Sequence, residues 1–117
     1  MEVHAITKNV RMSAQKMREV VRQIQGLPAA QAQAVLAVVP RKGARFVAKT
    51  LKSAIANAED LKEHKKEYNG MRTDRLVIKE ALAQTASTLR RFTPKARGSA
   101  GPILKRNCHI KIVLSDE

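Results

Sequence analysis

Aromatic side chains are nearly missing from this chain: one tyrosine, two phenylalanines and no tryptophan among 117 residues. A core built on large rings is excluded, so aliphatic side chains and alanine must supply the buried surface. The single cysteine, Cys108, rules out an internal disulfide and fits a reducing compartment. No apolar run approaches the ~20 residues of a membrane-spanning helix. The opening Met-Glu-Val-His-Ala-Ile lacks the basic-then-apolar order of a secretory signal. No glycine-rich phosphate loop, paired-carboxylate constellation or Ser–His–Asp spacing occurs, which argues against an enzyme and leaves no catalytic residue to name. His4, His64, His109 and Cys108 show no ligand spacing, so neither a metal nor another cofactor is expected. Acidic residues are scarce, 10 against 23 Lys and Arg, and residues 81–115 contain none.

What is present fits one domain with a thin core. A chain of this size buries roughly two-thirds of its surface, and a 44% hydrophobic fraction argues against wholesale disorder. The net charge is +13 and the isoelectric point about 10.6. Residues 1–52 carry a net +8, residues 53–89 are neutral, and residues 90–117 carry +5. A soluble chain this basic points first to nucleic acid and then to an anionic membrane surface.

Hydrophobic spacing predicts the elements. Val3 to Ile6 suit a short strand. Ser13 suits a helix N-cap, after which Ala14, Met17, Val20, Val21 and Ile24 recur at helical spacing until Gly26-Leu27-Pro28 stops the run. A second helix fits residues 29–38, closed by Pro40. A third fits about 42–61, with Ala44, Val47, Ala48, Leu51, Ala54, Ile55 and Ala58 as its core face. Residues 59–75 mix both charge signs and include the turn signal Asn69-Gly70, as a surface connection does. From Leu76 the period changes to two, setting Leu76, Ile78 and Leu82 against Val77, Lys79 and Ala81. The last strand alternates Cys108, Ile110, Ile112 and Leu114 against His109, Lys111 and Val113.

Between these strands, Pro94, Gly98, Gly101 and Pro102 exclude inner strands and suit a ribbon with a bend. If residues 84–104 fold back on themselves, each arm has ~10 residues and projects roughly 30 Å. The expected fold is therefore α+β: three helices on a small antiparallel sheet of about three strands, with a long protruding β-hairpin. The body takes about 1–83 plus 105–117, and the arm about 84–104.

Charge placement supplies the candidate site. Lys42, Arg45, Lys49 and Lys52 form one stripe of the third helix, and Arg11, Lys16, Arg18 and Arg22 repeat the arrangement around the first, relieved only by Glu19. A solvated face gains from mixed-sign i,i+4 pairs, and the third helix's stripe has none. Phosphate contact follows, with Ser13 beside it. In the arm, Arg90, Arg91, Lys95, Arg97, Lys105 and Arg106 are unpaired in sequence, and an arginine fork donates two parallel hydrogen bonds to a phosphate. His109 suits a hydrogen bond or stacking contact with RNA. Phe92 either stacks on a base or packs inside the bend. Cys108 reads as a strand residue near the core.

Three strings give the chain a resemblance: residues 10–18 (Val-Arg-Met-Ser-Ala-Gln-Lys-Met-Arg), residues 53–59 (Ser-Ala-Ile-Ala-Asn-Ala-Glu), and residues 94–100 (Pro-Lys-Ala-Arg-Gly-Ser-Ala) with residues 103–110 following. In this order and spacing the chain resembles the bacterial large-subunit ribosomal protein L-twenty-two family over essentially its whole length. The resemblance implies a surface body near the exit of the peptide tunnel. It also implies a hairpin threading through large-subunit ribosomal RNA, its tip (Arg91, Phe92, Thr93, Pro94, Lys95, Ala96, Arg97, Gly98, Ser99) lining the tunnel. The implied partners are that RNA, neighbouring proteins including the L-four family protein, and the nascent polypeptide. A homo-oligomer and a membrane are not implied. The implied location is the cytoplasmic ribosome. Two departures stand out: Ser99 where the family usually has Arg, and Ala86-Ser87 where it usually has Gly-Pro, which bears on a local kink. The rival readings are a DNA-compacting chromosomal protein and a module at an anionic membrane, the latter needing an exposed apolar face.

Overall fold

Apolar spacing decides where the helices form. The computed structural model describes residues 1–70 and 72–116; Met71, within the charged connection, lies outside the described residues. Helix α1 spans Ala14–Ile24, and its five stripe residues, Ala14, Met17, Val20, Val21 and Ile24, are all buried. Ser13 keeps extended backbone and its hydroxyl accepts from the Lys16 N–H at 3.4 Å, so the cap is made. Gly26, at φ +84°, ends the helix in the left-handed conformation that glycine adopts without Cβ strain. Helix α2 spans Ala29–Val38.

Helix α3 runs from Lys42 to His64, three residues beyond the expected end. The charges at its end do not break it: Lys62 sits in the last turn, where a cation favours the helix dipole, and His64 lies 3.5 Å from Asp60 one turn back. Its buried face holds Ala44, Val47, Leu51, Ala54 and Ala58 as expected, with Ala48 and Ile55 half-buried. Gly43 and Thr50 join it.

Three strands form an antiparallel sheet in the order β1-β5-β2: β1 Glu2–Val10, β2 Val77–Thr85 and β5 Cys108–Ser115. α1 lies over β2, α3 over β1 and β5, and α2 packs on α3. The central strand buries Cys108, Ile110, Ile112 and Leu114 beneath the helices, as its alternation requires. Burial of side chains such as Met17, Leu51 and Ile112 contributes roughly 1.5–3 kcal/mol each.

Both flanking strands depart from simple alternation. β1 is longer than expected because a register shift between Thr7 and Val10, with Asn9 at φ 57°, turns Val10 back into the core. In β2 a shift between Ile78 and Glu80 reverses the phase. Ala81 and Ala83 therefore face inward and Leu82 is exposed, the opposite of the expected pattern. The outer edge of β2 is covered where it begins: Gly26 N–H donates to the Ile78 carbonyl at 3.0 Å and Ile78 N–H to the Leu27 carbonyl at 2.9 Å.

A separate two-stranded ribbon projects beyond the sheet, formed by β3 Leu89–Pro94 and β4 Ala100–Lys105. Its paired strands are six residues each, shorter than the expected ten, because the ladder stops at Thr85–Cys108 and resumes at Leu89–Lys105. The result is elongated, 67 × 28 × 16 Å, with a radius of gyration of 17.7 Å. A compact chain of this length would have about 13 Å.

Candidate nucleic-acid interface

Three segments meet at the base of the ribbon: the link from β1 into α1, the start of α3, and the link from β4 to β5. Between them lies an open cleft of about 660 Å³ lined by Arg11, Met12, Ser13, Lys16, Lys42, Leu104 and Arg106. The fold places its cations through backbone oxygens. Arg11 donates to the Arg106 carbonyl at 2.6 Å, and the Lys42 ammonium to the Arg11 carbonyl at 3.4 Å. A smaller hollow of about 340 Å³ adjoins it, lined by Ser13, Ala14, Gln15, Arg18, Thr85, Arg106 and Asn107. Arg18 is tied to β2 there, its Nε donating to the Ala83 carbonyl at 3.0 Å. Among the described residues no carboxylate forms an ion pair with Arg11, Lys16, Arg18, Lys42 or Arg106.

Thus the structure gathers Arg11, Ser13, Lys16, Lys42 and Arg106 at one place, with Arg18 beside it. Arg45 follows on α3, lining a neighbouring hollow with Lys42. Lys49 and Lys52 are exposed but lie farther along α3 and line neither hollow, and Arg22 sits in the last turn of α1, away from the cleft. His109 is half-buried, and its Nδ1 accepts from the Asn9 N–H at 3.0 Å. One ring nitrogen is therefore committed within the protein, and only Nε2 remains for an outside partner.

The ribbon separates its side chains by pairing. Arg90 opposes Leu104, Phe92 opposes Pro102 and Pro94 opposes Ala100 on one face; Leu89 opposes Lys105, Arg91 opposes Ile103 and Thr93 opposes Gly101 on the other. Phe92 is 75% exposed, so it does not pack inside the bend. The tip closes by Lys95 N–H donating to the Ser99 carbonyl at 2.6 Å and Ser99 N–H to the Ala96 carbonyl at 3.3 Å. Arg97 at φ 60° and Gly98 at φ 74° make the reversal. The Lys95 stem lies over Gly101, where an added Cβ would sit 2.5 Å from it.

Several residues outside the candidate set also fasten the arrangement. Asn107 spans the break between the two ladders: its side chain donates to the Ser87 carbonyl at 3.0 Å and its own carbonyl accepts from Ala86 N–H at 3.1 Å. The interruption therefore forms with Ala86-Ser87 in place of Gly-Pro. Arg41, beside Lys42, is paired with Glu19 at 3.2 Å. Asn57, in the second string, donates to the His4 carbonyl at 3.2 Å and ties α3 to β1. Among the described residues no group of three or more His, Cys, Asp or Glu is placed to hold a metal. Among the described residues no helix is long and apolar enough to cross a membrane.

Comparison with known proteins agrees over the whole chain. The family described as ribosomal protein L22p/L17e matches residues 5–115. The chain is 50% identical to the large ribosomal subunit protein uL22 of Opitutus terrae over 99% of its own length and 96% of the relative's. It is 46% identical to the protein of the same description from Akkermansia muciniphila, over 100% and 98%. For that of Methylacidiphilum infernorum the identity is 45%, over 100% and 96%.

Proposed function

Because the chain belongs to the ribosomal protein L22p/L17e family, we propose that its basic cleft and ribbon are the surface through which it is built into the large ribosomal subunit. It is a structural constituent of that subunit, not an enzyme, and it works bound to the subunit's RNA in the cytoplasmic ribosome. The observation that carries the reading is the continuity of unneutralised cations from the cleft into a ribbon without an acidic residue. Arg11, Lys16, Lys42, Arg45 and Arg106 engage phosphates at the ribbon's base, with Arg18, Arg22, Lys49 and Lys52 extending the surface along the two helices. Arg90, Arg91, Lys95, Arg97 and Lys105 engage RNA along the ribbon, and the Nε2 edge of His109 is a further contact. Contacts to backbone and shape dominate, as expected for folded RNA.

The finer part of the reading is the ribbon's destination. Its tip, from Arg91 to Ser99, lines the peptide exit tunnel, faces the nascent polypeptide and neighbours an extension of the L-four family protein. The shape supports this: a narrow ribbon reaching out from a 67 Å molecule passes between RNA segments that a compact body cannot enter. The exposed Phe92 is available to stack on a base.

Sedimentation of the tagged native protein through a high-salt gradient containing magnesium tests the assignment. The protein is expected to stay with the large subunit. Release into light fractions, or migration with DNA, would overturn it. Crosslinking from Phe92 and Ser99 to a stalled nascent chain tests the tip, with no crosslink as the contrary result.

A further inference from the structure

Helix α2 has a surface unlike that of a solvated helix. Residues 23–40 carry no charged side chain, although the chain as a whole is 28% charged. Within the helix only Gln31 and Gln33 are polar. One apolar stripe, Ala29, Ala32 and Leu36, is buried. A second, Ala30, Ala34 and Val38, recurs every four residues on the opposite side and is exposed, Val38 at 79%. A helix that is apolar all round belongs in a buried setting. Here α3 packs on the first stripe's side, and among the described residues nothing covers the second. At its N-terminal end the exposed stripe runs into a hollow of about 430 Å³ walled by Pro28, Ala30, Ile55 and Val77, with Asp74 and Arg75 also lining it.

We propose that this face docks an amphipathic helix of a neighbouring protein of the large subunit, laid along α2 with an apolar side chain seated in the hollow. The inference rests on the large-subunit reading and goes beyond it by assigning a face that RNA does not take. Charge decides the occupant. A phosphate set against an uncharged apolar face loses water and gains no ion pair, whereas an apolar partner gains by removing Val38 and the hollow's walls from water. The spacing of four selects a helix over an extended segment. Ridges at that spacing pack into the grooves of a second helix, and Ala30 and Ala34 let the two axes come close, with Val38 projecting between the partner's side chains. Asp74 and Arg75, neither of them in an ion pair among the described residues, give the hollow a polar rim for the partner's charged edge.

The test is maleimide labelling of Val38→Cys in the full chain. The position is exposed, so the change leaves the core untouched, and the native Cys108 is 0% exposed and does not compete. Labelling is followed in the free chain, in the chain bound to a large-subunit RNA fragment, and in intact large subunits from cells carrying the variant. It should proceed in the first two and be lost in the third. Val38→p-benzoylphenylalanine, irradiated in intact subunits, should crosslink to one protein, through a segment whose apolar residues recur at helical spacing. Labelling that persists in intact subunits overturns the proposal, as does loss of labelling with RNA alone. A crosslink to RNA, or to a protein segment without that spacing, overturns it too. Loss of labelling in the free chain as its own concentration rises makes a second copy the occupant and has the same effect. If the parent chain is present in the large subunit while position 38 of the variant stays reactive there, only the docking face fails. If the parent chain is absent from the subunit, the large-subunit reading fails and the docking face with it.

Discussion

The hydroxyls of Thr7 and Thr50 lie 2.7 Å apart between β1 and α3, and Thr50 is 1% exposed. Thr50 also donates to the Phe46 carbonyl at 2.9 Å, so the shared proton between the two hydroxyls comes from Thr7. Thr50→Val keeps the shape and strands the Thr7 donor. The expected loss is about 1–2 kcal/mol in denaturant unfolding, and Thr7→Val in the same chain should recover part of it by removing the orphan. Asp116 behaves differently because its partners are at the surface. Its carboxylate accepts from the N-terminal ammonium at 3.1 Å and from Arg72 N–H at 3.3 Å, and those hydrogen bonds hold its pKa below the ordinary aspartate value. A carboxyl with a lowered folded pKa stabilises the fold above its unfolded value, and that stabilisation is lost as pH falls through the folded one. Asp116→Asn should therefore lower the thermal midpoint slightly at pH 7, and the difference from the parent should close below about pH 4.

At the scale of elements, the ribbon is the part least supported by its own packing. Two strands of six residues, with Leu89, Phe92, Ile103 and Leu104 exposed, lack the third strand or helix that gives a hairpin independent stability. Amides of residues 89–101 should exchange far faster than those of β5 in the free protein and gain protection with RNA; equal protection in both states would contradict this. Arg97→Gly should raise the protection of the free ribbon, because Arg97 holds φ 60° at a cost of about 1 kcal/mol that glycine does not incur. The helices and β5 were legible in sequence because each carries its main core face at one unbroken period, although β5 also buries Val113 and Ser115 on its other face. β1 and β2 were legible only in part: register shifts at Asn9 and near Glu80 reset the period, and such a shift depends on the partner strand, not on local composition. The site was legible as a list of cations but not as a place. Arg11 and Arg106 are far apart in sequence, and only the antiparallel course of β1 and β5 sets them side by side. Asn107 and Asn57, which fasten this arrangement through carbonyls, carry neither charge nor period to announce them.

For the whole molecule, the governing property is where charge is not balanced. α3 starts at the cleft with Lys42 and ends with Glu59, Asp60, Lys62, Glu63 and His64. At 1.5 Å per residue its far end lies about 35 Å from the ribbon's base. Residues 53–89, which include that end, carry no net charge because six acidic and six basic residues mix there, whereas the cleft and ribbon hold cations alone. On the proposed reading, a polyanion engages the cationic end and leaves the other to solvent. Counterion release makes the distinction measurable, since each phosphate contact contributes roughly 0.7–0.9 to the slope of log affinity against log salt. Replacing Arg90, Arg91, Lys95 and Arg97 together by Gln should reduce that slope by about three for a large-subunit RNA fragment. Replacing Lys62, Lys65 and Lys66 should leave it unchanged, although it removes nearly as much formal charge. If both variants shift the slope in proportion to charge removed, affinity follows net charge alone, and the ribbon has no privileged part in binding.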